Sequence, residues 1–135
     1  MPPKITGIAH VELSVSDLDA SVAWYCRLLG ARDVWRGRND ERGITACAIL
    51  EPETRTVIAF TQHDAIEGGP FTPRRTGLDH LSFRVADEAA IDAWRRHLDE
   101  LGIAHDAVDE QGPAVTLNLR DPDGIALEFY VLRTR

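Results

Sequence analysis

The sequence has few cysteines, no long apolar run and no cluster of positive charge, although each of these features would help to identify the class of the protein. Only two cysteines, Cys26 and Cys47, occur among its 135 residues. They lie in the apolar segments "WYCRLL" and "TACAIL", and their spacing is not that of a zinc motif or a disulfide framework. We therefore interpret both as buried free thiols in a reducing compartment.

Long apolar runs and clusters of positive charge are also missing. No stretch approaches the roughly 18 apolar residues of a membrane helix, and the start "MPPKITG" lacks the basic and apolar segments of a secretion signal. The formal charge is −7, and the 15 Lys and Arg residues form no sustained run, which argues against polyanionic partners. We expect a cytoplasmic protein with no nucleic-acid and no membrane partner.

What the sequence does contain is a repeat. The segment "GIAHVELSVSD" begins at Gly7 and returns as "GLDHLSFRVAD" from Gly77. The offset of 70 residues between Gly7 and Gly77 also pairs "EPET" with "DPDG". If one residue is then deleted, "VIAF" aligns with "ALEF". Similarity at both ends of the unit predicts two tandem modules, about 5–63 and about 77–133, with a Gly- and Pro-rich linker at about 64–76.

Each module is predicted to fold as strand, helix, strand, strand, strand. Apolar and polar residues alternate in the opening strand of each module. Helix-start signals follow at Asp17 and Asp87, and stop signals follow at Gly30 and Gly102. The other strand candidates lie near 33–36, 44–50 and 56–62 in module 1 and near 105–108, 115–119 and 125–132 in module 2.

This order of elements predicts an α+β fold in a single domain, residues 1–135. The two tandem βαβββ modules are expected to form a cupped, barrel-like mixed sheet with the helices on the outside. If the helices cover the apolar face of each opening strand, then His10 and His80 face the concave side. Alternation in "IALEFYV" places Glu128 on that side as well, so two imidazoles and one carboxylate are predicted to converge.

Two imidazoles and one carboxylate form a ligand set for a divalent metal. On one face of an octahedron they leave three positions open. Fe(II) is the metal most associated with this set, and Mn, Ni, Co or Zn accept the same donors. Because structural zinc sites usually close all their positions with protein ligands, an open site indicates chemistry or capture of a ligand.

Other polar residues are expected on the same side of the sheet. We interpret His63 and Tyr130 as candidates for proton transfer during catalysis. His97 and His105, by contrast, are expected to be solvated. Three further residues are candidates for substrate binding: Glu12, Thr116 and Asn118.

The chain resembles the vicinal oxygen chelate superfamily, also called the glyoxalase, bleomycin-resistance and dioxygenase family. The two histidine segments, the helix "SVAWYCRLLGA" and the closing "DPDGIALEF" carry the resemblance, which covers essentially the whole chain. It implies a divalent metal inside the cup and a small substrate that chelates this metal through two vicinal oxygens. It also implies a homodimer. The His10 and Glu128 that form one metal site then belong either to the same chain or to two different chains.

One position departs from the family pattern. Glyoxalase-like members place a fourth ligand, Glu or Gln, where this chain has Ala59, and a methyl group neither binds a metal nor transfers a proton. The resemblance therefore favours a metal-dependent dioxygenase, lyase or transferase over glyoxalase I. Two alternatives stay open: a non-catalytic protein that sequesters an antibiotic or aromatic ligand, and a glyoxalase- or lyase-type isomerase.

Overall fold

The first half of the chain forms a four-stranded mixed sheet with one helix. In the computed structural model, which describes residues 1–133, the chain divides into two units, one ending at Gly68 and one beginning at Gly69. The strand order in the first unit is β1-β4-β3-β2, with β1 parallel to β4 and the other pairs antiparallel. Its elements are β1 (Val11–Ser14), α1 (Leu18–Leu29), β2 (Arg32–Asn39), β3 (Ile44–Leu50) and β4 (Val57–His63).

The second half repeats this plan with three strands. The strand order is β5-β7-β6, in which β7 is parallel to β5 and antiparallel to β6. Two helices and two mixed sheets confirm the predicted α+β class. The single domain, the module boundaries and the joining of both sheets into one cup stay predictions. The elements are β5 (Leu81–Arg84), α2 (Glu88–Leu101), β6 (Ala114–Arg120) and β7 (Ala126–Leu132).

Both helices begin and end where the sequence predicts. The carboxylates of Asp17 and Asp87 accept hydrogen bonds from backbone N–H groups in the first turns of α1 and α2. Gly30 and Gly102 follow the last turns in the left-handed conformation, at φ 65° and 67°. Glycine adopts this conformation without the steric cost that other residues incur, so it ends the helix there.

Each helix packs on the apolar face of its own sheet. In the first unit Tyr25 of α1 contacts Phe60 of β4, with ring centroids 4.8 Å apart. In the second unit Trp94 of α2 stacks on Phe129 of β7 at 4.0 Å. Because strand side chains alternate between faces, the neighbours of Phe60 and Phe129 in sequence, Ala59 and Glu128 among them, lie on the face that no helix of their unit covers.

The strand predicted near 105–108 is wrong. In its place His105 and Asp109 form isolated bridges to Leu119 and Thr116 of β6. The segment "HDAVDE" combines alanine with acidic residues, all of which are poor strand formers. The second sheet therefore has three strands where the first has four.

His105 is also not solvated. Its side chain is 15% exposed, with Nδ1 2.8 Å from the carbonyl oxygen of Asp106 and Nε2 2.8 Å from the Asp99 carboxylate. These two acceptors raise the pKa of His105 above its ordinary value. The ring therefore ties the bridged segment to the C-terminal end of α2.

The two cysteines are free, as predicted. Cys47 is buried, whereas Cys26 is only half-buried. Burial is the main reason that the pKa of Cys47 rises to about 11. The Cys47 thiol is therefore protonated at neutral pH and is a poor nucleophile.

A carboxylate holds the turn before the last strand of each unit. In "DPDG" the buried Asp121 side chain accepts hydrogen bonds from the backbone N–H groups of Asp123 and Ile125, at 2.9 and 2.8 Å. In "EPET" the Glu51 carboxylate accepts one from the N–H of Thr54 at 2.8 Å. The repeat in the sequence thus encodes the turns that lead into β4 and β7.

We predict that Asp121→Ala lowers the free energy of unfolding by about 1–3 kcal/mol, because the buried Ile125 N–H loses its acceptor. The matched change Glu51→Ala should cost less, since water can replace the carboxylate at that exposed turn. Urea unfolding of both variants measures the difference. Equal losses of unfolding free energy in the two variants would contradict the conclusion that the Asp121 carboxylate satisfies a buried N–H group and the Glu51 carboxylate an exposed one.

Candidate functional site

In the second unit His80 and Glu128 lie side by side on the face opposite α2. His80 immediately precedes β5, and Glu128 of β7 pairs with Ser82 of β5. Nε2 of His80 is 3.5 Å from Oε1 of Glu128. Two ligands at right angles, each about 2.1 Å from one ion, are about 3.0 Å apart. A shift of a few tenths of an ångström would thus let both side chains bind one metal.

A third residue fixes the orientation of the His80 ring. Nδ1 of His80 is 2.7 Å from a carboxylate oxygen of Asp79. A carboxylate only accepts hydrogen bonds, so Nδ1 carries the proton, and in the neutral ring Nε2 keeps its lone pair on the side of Glu128. The hydrogen bond to Asp79 is the main cause that raises the pKa of His80, partial burial opposes it, and the charge of Glu128 adds to it.

The other predicted residues of this unit share the face of Glu128. Asn118 of β6 is the register partner of Glu128, and Thr116 is the partner of Tyr130. The Asn118 amide donates to the Thr116 hydroxyl at 3.2 Å. All four side chains are half-buried, so they are accessible to a small molecule, and their roles stay predictions.

The first unit contains a second imidazole–carboxylate pair. His10 immediately precedes β1, and its Nε2 is 3.6 Å from Oε2 of Glu12. The two side chains are 49% and 45% exposed. The other oxygen of Glu12, Oε1, accepts a hydrogen bond from the hydroxyl of the buried Thr61 on β4.

A row of four register partners crosses the first sheet at Glu12. Glu12 pairs with Ala59, Ala59 with Ala48, and Ala48 with Trp35 of the edge strand. The Trp35 side chain is 57% exposed and lies against Gly37, where an added Cβ would come within 2.5 Å of the indole. The row therefore has a carboxylate at one end, an indole at the other and two methyl groups between them.

His63 is separated from this row. It is the last residue of β4 and is exposed. Four residues of strand, from Ala59 to His63, span about 13 Å. The structure does not bring His63 next to His10 or Glu12, and its role stays a prediction.

Within residues 1–133, the metal donors come together in pairs. No group of three or more His, Cys, Asp or Glu side chains in this range is arranged to hold a metal ion. The same range contains no helix with the length and hydropathy needed to cross a membrane.

Three residues of these faces were missed by the sequence reasoning. Asp79 of "GLDH" replaces the alanine of "GIAH", so a closer comparison of the two repeat copies would have found it. Thr61 alternates with Ala59 along β4, but its hydrogen bond depends on the pairing of β4 with β1, which no pattern reveals. Trp35 lies in a predicted strand, and an aromatic residue there is more often part of a core.

Comparison with known proteins places the chain in a family. The model of the Glyoxalase/Bleomycin resistance protein/Dioxygenase superfamily matches residues 7–129. The chain therefore belongs to this superfamily, whose members include many metalloenzymes.

Three relatives illustrate the likeness. The chain is 32% identical over 130 residues to a trivalent organoarsenical cleaving enzyme of Thermomonospora curvata, an alignment of 92% of this chain and 76% of that protein. A glyoxylase/bleomycin resistance protein/dioxygenase domain from Frankia superposes with a TM-score of 0.85 at 34% identity, over 96% of this chain and all of that one (100%). The fosfomycin resistance protein FosX of Listeria monocytogenes, solved with Mn(II), shares the fold at 16% identity and a TM-score of 0.68, over 94% and 93% of the two chains.

We predict that Asp79→Asn lowers the pKa of His80 in the metal-free protein, because the largest cause of its elevation is removed. A raised pKa stabilises the fold at pH values below the unfolded pKa, and this contribution is lost as the pH rises through the folded pKa. The variant should lose the part of this pH-dependent stabilisation that Asp79 supplies, whereas the part that Glu128 supplies remains. Titration of the His80 ring by NMR, assigned with His80→Gln, measures the shift, and an unchanged pKa would refute the hydrogen bond.

Proposed function

We propose that this protein is a metal-dependent enzyme acting on a small substrate that chelates the metal through two vicinal oxygens. The metal ligands in this proposal are His10, His80 and Glu128. Membership of the superfamily supports the reaction class, and the repeat of the histidine segments supports the inclusion of His10 with the other two.

The observation that carries the proposal is the geometry at His80. Its Nε2 faces Glu128 at 3.5 Å while Asp79 holds the opposite nitrogen. A histidine whose far nitrogen donates to a carboxylate is the usual arrangement of a metal ligand.

The residues around the pair suit a small polar substrate. Asn118 offers an amide and Thr116 a hydroxyl on the face of Glu128. Tyr130 lies one step further along the same face, about 7 Å from Glu128, where its phenol can give or take a proton. In the first unit, Ala48 and Ala59 are register partners that carry only methyl groups.

A bound divalent metal would act as a Lewis acid on the chelated oxygens. With three protein ligands, three positions of an octahedron remain, so the set is closer to dioxygenase or transferase members than to glyoxalase I. Fe(II) is the favoured ion on the ligand set, with Mn, Ni, Co or Zn as substitutes. We further propose that the protein works in the cytoplasm as a homodimer.

A second candidate function is capture of a planar aromatic ligand without catalysis. The observation that favours it is Trp35, whose exposed indole lies next to Gly37 on the face of Ala48. Indole faces stack well on aromatic rings. This function would need no metal, so metal content separates the two candidates.

We predict that protein purified without chelator or nickel contains about one transition metal ion per chain. His80→Ala and Glu128→Ala should each lose it, because each removes one of few protein ligands. His97→Ala on α2 serves as the matched control and should keep the metal.

Mass spectrometry of the purified proteins gives both the stoichiometry and the metal. A wild type that holds no metal and takes up none from Fe(II), Mn(II) or Zn(II) would contradict the enzyme proposal. Quenching of indole fluorescence by aromatic ligands in that protein, absent in Trp35→Leu, would then support the binding function.

A further inference from the structure

The face of the second sheet opposite α2 carries three hydrogen-bond donors beside its imidazole–carboxylate pair. Arg84 of β5 is the register partner of Tyr130 on β7, and Tyr130 is the register partner of Thr116 on β6. A hydrogen bond of 2.9 Å from the N–H of Val85 to the carbonyl oxygen of Tyr130 continues this pairing past the end of β5. We call Arg84, Tyr130 and Thr116 the donor row.

Arg84 lies on the same face of the sheet as Glu128. Its neighbour in sequence, Phe83, contacts Phe129 of β7 with ring centroids 5.7 Å apart, so Phe83 belongs to the helix-covered face. Because strand side chains alternate, Arg84 belongs to the opposite face, together with Tyr130 and Glu128. Arg84 is exposed, so its guanidinium is accessible to a ligand.

The side chains of the donor row have hydrogens to donate and no protein group that accepts them. Among the residues that the structure describes, neither the guanidinium of Arg84 nor the phenol of Tyr130 has an ion-pair or hydrogen-bond partner. The Thr116 hydroxyl accepts from the Asn118 amide at 3.2 Å, so its own hydrogen is available to donate. One positive charge and two hydroxyl groups in adjacent positions suit a negatively charged ligand.

The first unit has no arginine at the equivalent position. The offset of 70 residues pairs Arg84 with Ser14. Ser14 is the register partner of Thr61, and the Thr61 hydroxyl donates to Glu12. The fold that both units share therefore does not require an arginine at this position, which favours a binding role for Arg84 over a structural one.

We propose that the substrate carries a carboxylate, which Arg84 binds with the phenol of Tyr130 as a second donor. The inference rests on the proposed function and names the class of its substrate, a compound with two vicinal oxygens and one carboxylate. Arg84 lies two residues along β5 from Ser82, the register partner of Glu128. The carboxylate site is therefore about 7 Å from the proposed metal ligand Glu128.

A carboxylate fits the donor row better than a phosphate group does. The guanidinium of Arg84 can donate two parallel hydrogen bonds to the two oxygens of a planar carboxylate. A dianion would be repelled by Glu128, one step away on the same face, and by the formal charge of −7 on the chain. A single negative charge is therefore favoured.

Two probes that differ in one carboxylate test the inference. Catechol has two vicinal hydroxyls, and 3,4-dihydroxybenzoate adds a carboxylate on the far side of the ring, at a separation close to the step of about 7 Å along the strand. Both are titrated by calorimetry into protein supplied with Zn(II), an ion that does not oxidise them. Wild type should bind 3,4-dihydroxybenzoate about tenfold more tightly than catechol, because the carboxylate forms charge-assisted hydrogen bonds.

Variants of Arg84 should change the preference and not the binding of catechol. Arg84→Gln should abolish the preference and leave the affinity for catechol unchanged. Arg84→Lys should keep part of the preference, because the charge remains while the paired donors are lost. The matched control is Arg96→Gln, which removes the same charge from an exposed position on α2 and should keep the full preference.

NMR adds a readout that depends neither on a metal nor on activity. In the metal-free protein, the Nε–H resonance of Arg84 is assigned by its loss in Arg84→Gln. This resonance should shift when benzoate is added and should not shift with benzyl alcohol, which has the same ring and no charge.

The outcomes separate this inference from the proposed function. If catechol binds but 3,4-dihydroxybenzoate is not preferred, or if the preference survives in Arg84→Gln, the inference is wrong and the proposed function stands. If catechol does not bind in the presence of Zn(II) but benzoate shifts the Arg84 resonance, the carboxylate site stands and the proposed function is wrong. If catechol does not bind and benzoate causes no shift, both are wrong.

Discussion

The parallel pairing of the first and last strands of each unit is the constraint on which the candidate site depends. This pairing sets Glu12 beside Ala59 and Ser82 beside Glu128. Each histidine lies one residue before the first strand of its unit. In the second unit the register brings Glu128 of β7 to His80, and in the first unit it brings Thr61 of β4 to Glu12, the carboxylate beside His10. A one-residue slip would turn every one of these side chains to the helix-covered face. The apolar residues on that face prevent the slip, since it would expose Phe60 and Phe129.

The two faces of each sheet therefore differ in role: one forms the core with the helix, and the other carries the candidate site residues. The helix-covered face is closed by large apolar groups such as Tyr25 and Trp94, and burial of this kind supplies most of the driving force for folding. The opposite face carries charged and polar groups at partly exposed positions. Hydrogen bonds hold two of these groups in place: His80 donates one to the Asp79 carboxylate, and Glu12 accepts one from the Thr61 hydroxyl. Rigid support of this kind is what a binding site needs if its donors are to meet a ligand without reorganisation.

Much of this arrangement can be predicted from the sequence, because the local signals and the repeat indicate the same helices and strands. The helix ends at Asp17 and Gly30 follow from capping chemistry alone, and alternation assigns Glu128 to the open face. What sequence reasoning could not supply depends on contacts between distant residues. The pairing of β1 with β4 gave Glu12 a partner in Thr61, whereas the sequence alone suggested only a candidate for substrate binding. The bridged segment at His105 was a strand candidate, but its own residues favour a strand only weakly.

The central claim is that a metal ion binds this protein through imidazole and carboxylate groups. X-ray absorption at the edge of the bound metal tests it most directly, since outer-shell scattering from imidazole rings is distinct from that of oxygen ligands. We expect two imidazole nitrogens per metal, with oxygen donors in the remaining positions, and loss of one imidazole in His10→Ala. A spectrum with oxygen ligands only, unchanged in that variant, would contradict it.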